Sequence, residues 1–299
     1  MSLYALVGAL ETGLAFALVA LGSYITFRVL DFPDLTVEGS FPLGAAVVAR
    51  LMVAGVDPWI ATFAAMGAGC LAGFATAFLN IKLRIMHILA SILTAIALYS
   101  INLRIMARPN IGLINIPTVY TFWERLGIPS LYVPVVVLAI VVLVCKVMVD
   151  LFLGTGVGLA MRAAGANPRM AQANGVRVNL MIVVGLGIAN ALTAMSGALF
   201  AQMLGAADVS MGIGVIVVAL ASVIGGTALM PSRLIPLLTL ACVLGSIVYR
   251  LAIALALSSN SIGLTASDVN VVTAVLVAIA LYLPGRRFSF VRLTGRAVK

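Results

Sequence analysis

Residues 131–153 read LYVPVVVLAIVVLVCKVMVDLFL, residues 154–177 read GTGVGLAMRAAGANPRMAQANGVR, and residues 178–204 read VNLMIVVGLGIANALTAMSGALFAQML. At about 1.5 Å of rise per residue, each flanking run is long enough to cross a bilayer core of about 30 Å as a helix. The middle piece is broken by glycine and proline and carries arginines, so it cannot share that environment. Span, extramembrane connection, span is the only economical reading. Barrel strands would give alternating segments of about ten residues, whereas these unbroken runs suit helices, which satisfy every backbone group internally.

The same pattern extends over nearly all 299 residues, with 63% of the chain hydrophobic, 9% charged and a mean hydropathy of +1.22. A soluble domain would carry charge on about 25% of its residues. Candidate spans fall at 3–27, 36–56, 58–81, 86–101, 131–153, 178–204, 213–229, 234–256 and 269–284, an all-α polytopic membrane protein with about nine crossings, eight to ten at the limits. Two segments look broken. The run 36–56 opens with Glu38-Gly39-Ser40-Phe41-Pro42, and 213–229 is bounded by Gly212, Gly214, Gly225 and Gly226. No Lys or Arg precedes Arg28, so the first run lacks the charged start of a cleaved signal and is expected to stay as a helix.

The net charge of +9 could suggest nucleic acid, but the basic residues sit in short connections and the C-terminal tail, where they act as a topology signal. With nine crossings, one side receives Arg28, Lys82, Arg84, Arg162, Arg169, Arg177, Arg233, Arg286, Arg287, Arg292, Arg296 and Lys299. The other receives Arg104, Arg108 and Arg125. The first side is therefore expected to be cytoplasmic, together with the C-terminus. Cys70, Cys145 and Cys242 each lie alone in an apolar run and imply neither a disulfide framework nor a metal site.

The longer outer connection, about 102–130, is expected to be interfacial, with Tyr120 and Trp123 at headgroup level. The inner connection 154–177 is more structured. Leu159–Ala164 suits a short helical turn that Gly165 interrupts. Asn167 is a good N-cap, Pro168 a good first helical residue, and Gly175 suits a left-handed position after the last turn. A plain linker needs no such delimited helix. Docking of a soluble partner and contact of the arginines with anionic lipid both remain open from the residues alone.

Gly158, Arg162, Ala163, Gly165, Asn167, Pro168, Ala171 and Gly175 form a pattern that resembles the cytoplasmic coupling loop of ATP-binding-cassette importer permeases of the branched-chain amino acid and ribose class. FPDLTVEGSFPLGAAVVA (32–49) resembles that family's second, partly irregular segment, and GIGVIVVALASVIGG (212–226) its glycine-bounded later one. The first of these is particularly similar to a subgroup associated with tryptophan or tyrosine import. The resemblance covers residues 1–285 as a transmembrane permease domain, leaving 286–299 as a basic cytoplasmic tail. It implies a type II importer in the bacterial inner membrane, with two permease copies, two ATPase subunits beneath and a solute-binding protein outside. It also implies that Arg162, Gly165, Asn167, Pro168, Arg169, Ala171 and Gly175 couple the permease to the ATPase. This chain has no GxxxxGK[ST] loop, so ATP and Mg are expected in the partner, with no cofactor, metal or catalytic site here.

Glu38 and Ser40 are the candidate path residues. A carboxylate at membrane depth either faces a polar route or caps the helix that follows it, and Asp31, Asp34 and Arg28 could join it in a network. Arg50 and Arg250 are expected to snorkel to an interface, His87 to start a helix, and Asn80, Asn102, Asn190 and Gln202 to join helices by hydrogen bonds. Pairs such as Gly69-Gly73, Gly185-Ala189 and Gly197-Ala201 allow close helix approach. The competing function is a self-contained secondary transporter, in which broken segments line a midplane site and Glu38 is the only candidate coupling group.

Overall fold

The computed structural model describes residues 3–125, 127, 129–232 and 234–258. The elements are α1 (Leu3–Ser23, continued by a π-helical turn Tyr24–Val29), α2 (Val37–Val53), α3 (Pro58–Lys82), α4 (His87–Met106), β1 (Asn110–Gly112), α5 (Thr121–Arg125) and α6 (Val133–Gly154). They are followed by α7 (Gly156–Ala166), α8 (Pro168–Ala173), α9 (Val178–Leu204), β2 (Ala206–Asp208), a 3-10 turn (Val209–Gly212), α10 (Val215–Leu229) and α11 (Ile235–Ser258). Among the described residues, seven helical segments are long and apolar enough to cross a membrane: α1, α3, α4, α6, α9, α10 with its preceding turn, and α11. α2 has 17 residues and is a shorter element in the same bundle. The expected span 269–284 and the basic tail 286–299 lie outside the described residues.

α9 is the central post. α1 runs antiparallel to it: the Ser196 hydroxyl donates to the Ala15 carbonyl (2.6 Å), and Gly22 abuts Ala189. α3 crosses where both helices are thin. A Cβ on Gly69 would lie 2.3 Å from the Asn190 carbonyl oxygen, and one on Gly73 would lie 2.2 Å from that of Leu186. Small residues are used here for backbone contact in a bundle where water supplies no driving force.

α2 starts deep inside this bundle. It runs parallel to α9, with Ser40 beside Asn190, Gly44 against Ala194, and Ala45 and Ala49 clustered with Ala198 and Ala201. Asn190 is twelve residues into α9, so α2 begins about 18 Å along that helix. Non-helical backbone at that depth needs internal partners. The Phe32 N–H donates to the Thr26 carbonyl (2.8 Å) and the Thr36 N–H to Asp34 Oδ1 (2.9 Å), while Asp31 takes a left-handed φ of 53° to turn the chain.

At the far end of α4 and α9 a two-stranded ribbon ties the helices together, with Asn110 opposite Asp208 and Gly112 opposite Ala206. No pattern in three-residue strands announced it. Four other expectations are corrected. Tyr120 is not at a headgroup surface; it is 5% exposed and its hydroxyl donates to the Leu199 carbonyl. Asn80 does not join two helices but closes the α3–α4 turn through the Ile85 carbonyl. Gly165 does not interrupt a helix: α7 is continuous through it, and glycine is there because a Cβ would lie 2.0 Å from the Val29 carbonyl oxygen. Arg250 does not snorkel; its guanidinium lies over the Phe16 ring, 4.0 Å from the centroid.

Candidate functional site: the α7–α8 element and the polar links of α2

Two places in the fold hold polar chemistry that packing alone does not require. The first is the α7–α8 element between α6 and α9. Thr155 caps α7 by accepting from the Gly158 N–H (3.2 Å). Asn167 then caps α8 as expected, with its Oδ1 accepting from the Met170 N–H (3.1 Å) and Pro168 in the first helical position. The end of α8 is closed by Gly175 at φ +82°, with the Val176 N–H donating to the Ala171 carbonyl (3.0 Å).

The expected coupling residues divide into two groups. Asn167, Pro168, Arg169 and Gly175 are exposed, as is Met170 at 65%, which sequence reasoning passed over. Arg162, Gly165 and Ala171 instead face the bundle. Ala171 is buried, and Gly165 seats α7 on the π-helical turn of α1. Arg162 is half-buried, within electrostatic reach of Tyr24, and its Nε has no hydrogen-bond acceptor among the described residues. An open groove of about 470 Å³ runs beside α8, lined by Ile81, Gln172, Arg177 and Asn179 among others.

The second place is the start of α2. Asn190 donates to Asp34 Oδ2 (2.8 Å) and accepts from the Ser40 hydroxyl (2.7 Å), so one amide holds both sides of the α2 N-terminus to α9. All three residues are 0% exposed. The Thr36 and Thr76 hydroxyls share a bond of 2.8 Å, and Asn102 donates to the Gly39 carbonyl (3.2 Å). Ser40 is thus engaged by α9 rather than facing open space. Asp34 belongs to the Ser40 link, not to a network with Glu38. Glu38 is half-buried, and its Oε1 accepts from the Gly214 N–H (3.3 Å) at the start of α10, so it joins the two irregular segments. The Asp34–Asn190 pair is separated by 156 residues, and no spacing in the sequence could have paired them. His87 starts α4 as expected and stacks on Phe32 at 4.3 Å.

The profile of the family described as branched-chain amino acid transport system, permease component, matches residues 5–283. A tyrosine transport system permease protein of Clostridioides difficile (strain R20291) is 36% identical over 293 residues, covering 98% of this chain and 96% of that protein. The uncharacterized protein RP368 of Rickettsia prowazekii (strain Madrid E) is 33% identical over 280 residues, covering 92% and 96%. Among solved structures, PsaBC from Streptococcus pneumoniae in complex with Fab has a similar fold, with a TM-score of 0.51 at 14% identity over 92% of this chain and 89% of that one. A bundle of apolar helices with a structured polar connection between α6 and α9 is the architecture such a component needs, and the chain belongs to the branched-chain amino acid permease family as the permease component of an ATP-binding-cassette transporter.

Proposed function

We propose that this chain imports an amino acid, an aromatic one such as tyrosine, across the bacterial inner membrane. A solute-binding protein delivers the solute, and two cytoplasmic ATPase subunits that hold ATP and Mg power its passage. Two copies of the chain form the path, residues 1–285 are the permease domain with its coupling loop at 154–177, and the basic tail 286–299 lies in the cytoplasm with the C-terminus. The observation that carries this reading is α8, a short helix capped at both ends by its own residues and presenting Pro168, Arg169 and Met170 outward. The twelve-to-three distribution of Lys and Arg favours placing it on the cytoplasmic side. The name of the Clostridioides difficile relative supports an amino acid as solute.

The packing suggests how nucleotide-driven motion reaches the path. Movement of α8 carries α7, and Gly165 bears directly on the Val29 carbonyl of the π-helical turn. A π turn is a frequent point of functional adjustment in a helix. The connection after it is hooked to α9 through Asp34 and Asn190, and it leads into α2, where Glu38 holds the start of α10. Two packed arrangements with different affinities for the partners are all that such a switch requires.

Mild-detergent purification of the full chain from its native membrane, followed by mass spectrometry of stoichiometric partners, tests the reading. A P-loop ATPase should be recovered, and crosslinking from Met170→Cys should reach it. Its reproducible absence from a folded preparation would overturn this reading.

A further inference from the structure

Arg250 is the only charged residue of α11, and it lies fifteen residues into that helix, about 22 Å from its start. Its guanidinium sits over Phe16, and its Nε is buried without a hydrogen-bond acceptor among the described residues. The one ion pair among the described residues is Lys146–Asp150, so no carboxylate lies within pairing distance of Arg250 there. Arginine keeps its charge in any protein environment, and even a partly desolvated cation is costly without an anion. The ring beneath it offsets only part of that cost. Among the described residues no anion meets this guanidinium, and a carboxylate fits the planar fork in a two-point contact.

The surroundings specify what the anion should be attached to. Phe16 stacks on Phe41 with centroids 5.4 Å apart and meets Phe200 edge-on at 5.5 Å, while Phe41 and Phe200 lie 5.7 Å apart. Three helices, α1, α2 and α9, thus each contribute a ring to one cluster, and α11 sets a cation against it. Phe16 and Phe41 are buried, whereas Phe200 and Arg250 are half-buried and so remain reachable. The cluster adjoins both irregular segments: Val37 of α2 and Val215 and Ile216 of α10 pack in it, and Glu38 lies one turn before Phe41.

We infer that Arg250 and the Phe16–Phe41–Phe200 cluster form a solute-contact site on the path, in which the guanidinium engages the carboxylate of an aromatic amino acid and the rings receive its side chain. This rests on the proposed import of an amino acid. A purely structural role, with Arg250 only tying α11 to α1, makes different predictions.

The test uses the full chain with its ATPase and solute-binding protein in proteoliposomes, with binding protein saturated by L-tyrosine so that its own preference is held constant. Arg250→Gln should lower tyrosine turnover per complex by about tenfold or more, the scale of one charge-assisted hydrogen bond, while binding-protein-stimulated ATP hydrolysis stays within about twofold of the parent. Arg250→Lys should recover part of the transport. Should Arg250→Gln fail to assemble, Phe200→Cys in a background lacking the three native cysteines supplies a second readout: L-tyrosine should slow its maleimide labelling and tyramine, which lacks the carboxylate, should not. Unchanged turnover in Arg250→Gln, or equal protection by tyrosine and tyramine, overturns the site while leaving amino acid import standing. A parent complex that assembles with its ATPase but moves no amino acid overturns both.

Discussion

α8 and α2 are both helices that start from irregular backbone, yet their polar groups are satisfied in opposite ways. α8 is exposed, and its cap, first residue and terminating glycine all lie within the nine residues from Asn167 to Gly175. α2 is buried, and its start depends on Asn190, Thr76, Asn102 and Gly214, contributed by α9, α3, α4 and the approach to α10. A helix in water can finish its hydrogen bonding locally, because solvent takes what remains. One that begins inside a membrane bundle has no solvent to turn to and must recruit distant residues. The first kind can therefore move as a unit against a partner, whereas the second can move only by breaking or exchanging links to its neighbours.

If α2 depends on its neighbours in this way, the largest effects should come from pushing it off α9. A Cβ at Gly197 would lie 1.9 Å from the Phe41 carbonyl oxygen, so Gly197→Leu forces two backbones apart. Overpacking of this kind costs about 1–3 kcal/mol or more. The variant should lose its monodisperse peak in detergent, while Gly225→Ala, where a Cβ meets nothing within 4 Å, should match the parent. Next in size is Asn190→Leu, which strips Asp34 and Ser40 of their shared partner and leaves buried groups unpaired, at about 1–3 kcal/mol for each. Combined with Ser40→Ala it should be less destabilising than the sum of the single changes, by about 0.5 kcal/mol or more in thermal unfolding. Strict additivity would mean that Asn190 does not link the two residues.

The same contrast accounts for what could be read in advance. The boundaries of α9 match the expected 178–204, and those of α3, α6 and α11 fall within two residues of expectation, because a hydrophobic run in lipid fixes its own ends. The α8 caps were legible because Asn167, Pro168 and Gly175 carry their conformational preferences with them. The irregular start of α2 was legible from Gly39 and Pro42, but its partners were not: Asp34 looked like a companion of Glu38, and Asn190 like ordinary helix-joining amide. Arg250 was misread for a related reason. Position along α11 suggested escape to an interface, and only packing against α1 brings Phe16 beneath it. Gly165 likewise looked like a local break, although its reason lies across the bundle in Val29.

Changes in α8 should be smaller in stability and larger in coupling. Asn167→Ala removes a cap worth about 1 kcal/mol, on a six-residue helix that buries only Ala171 in the bundle. The unfolding temperature of the bundle should stay near that of the parent. The ratio of solute transported to ATP hydrolysed should fall, and Arg169→Glu, an exposed change of sign, should reduce the ATPase recovered on purification. Equal losses of stability in Asn167→Ala and Asn190→Leu would erase the distinction between the two helices.

The smallest effect concerns the ribbon that closes the opposite end, and pH isolates it. Asp208 accepts from the Ser210 N–H (2.7 Å), from the Ser210 hydroxyl and from Asn110 (3.2 Å), and these donors hold its carboxyl below the ordinary carboxylate range, with those from Ser210 leading. A carboxyl whose pKa is lower in the folded than in the unfolded ribbon contributes stability that is fully present above the unfolded value. That contribution is lost as pH falls through the lowered one, because only the ionised form accepts from all three donors. Acidification below the ordinary value should therefore loosen the turn at 208–212 first, seen as faster amide exchange at Ser210 relative to α9 after correction for intrinsic rates. Asp208→Asn, which keeps the shape but not the charge, should exchange faster at neutral pH and show little further change on acidification. Because Asp208 is only partly buried, solvent screens the effect, and the helices should not respond. A loss of protection that spreads into α9 at the same pH would instead show that the ribbon holds the bundle together, and α9 would then resemble α2 in depending on distant partners.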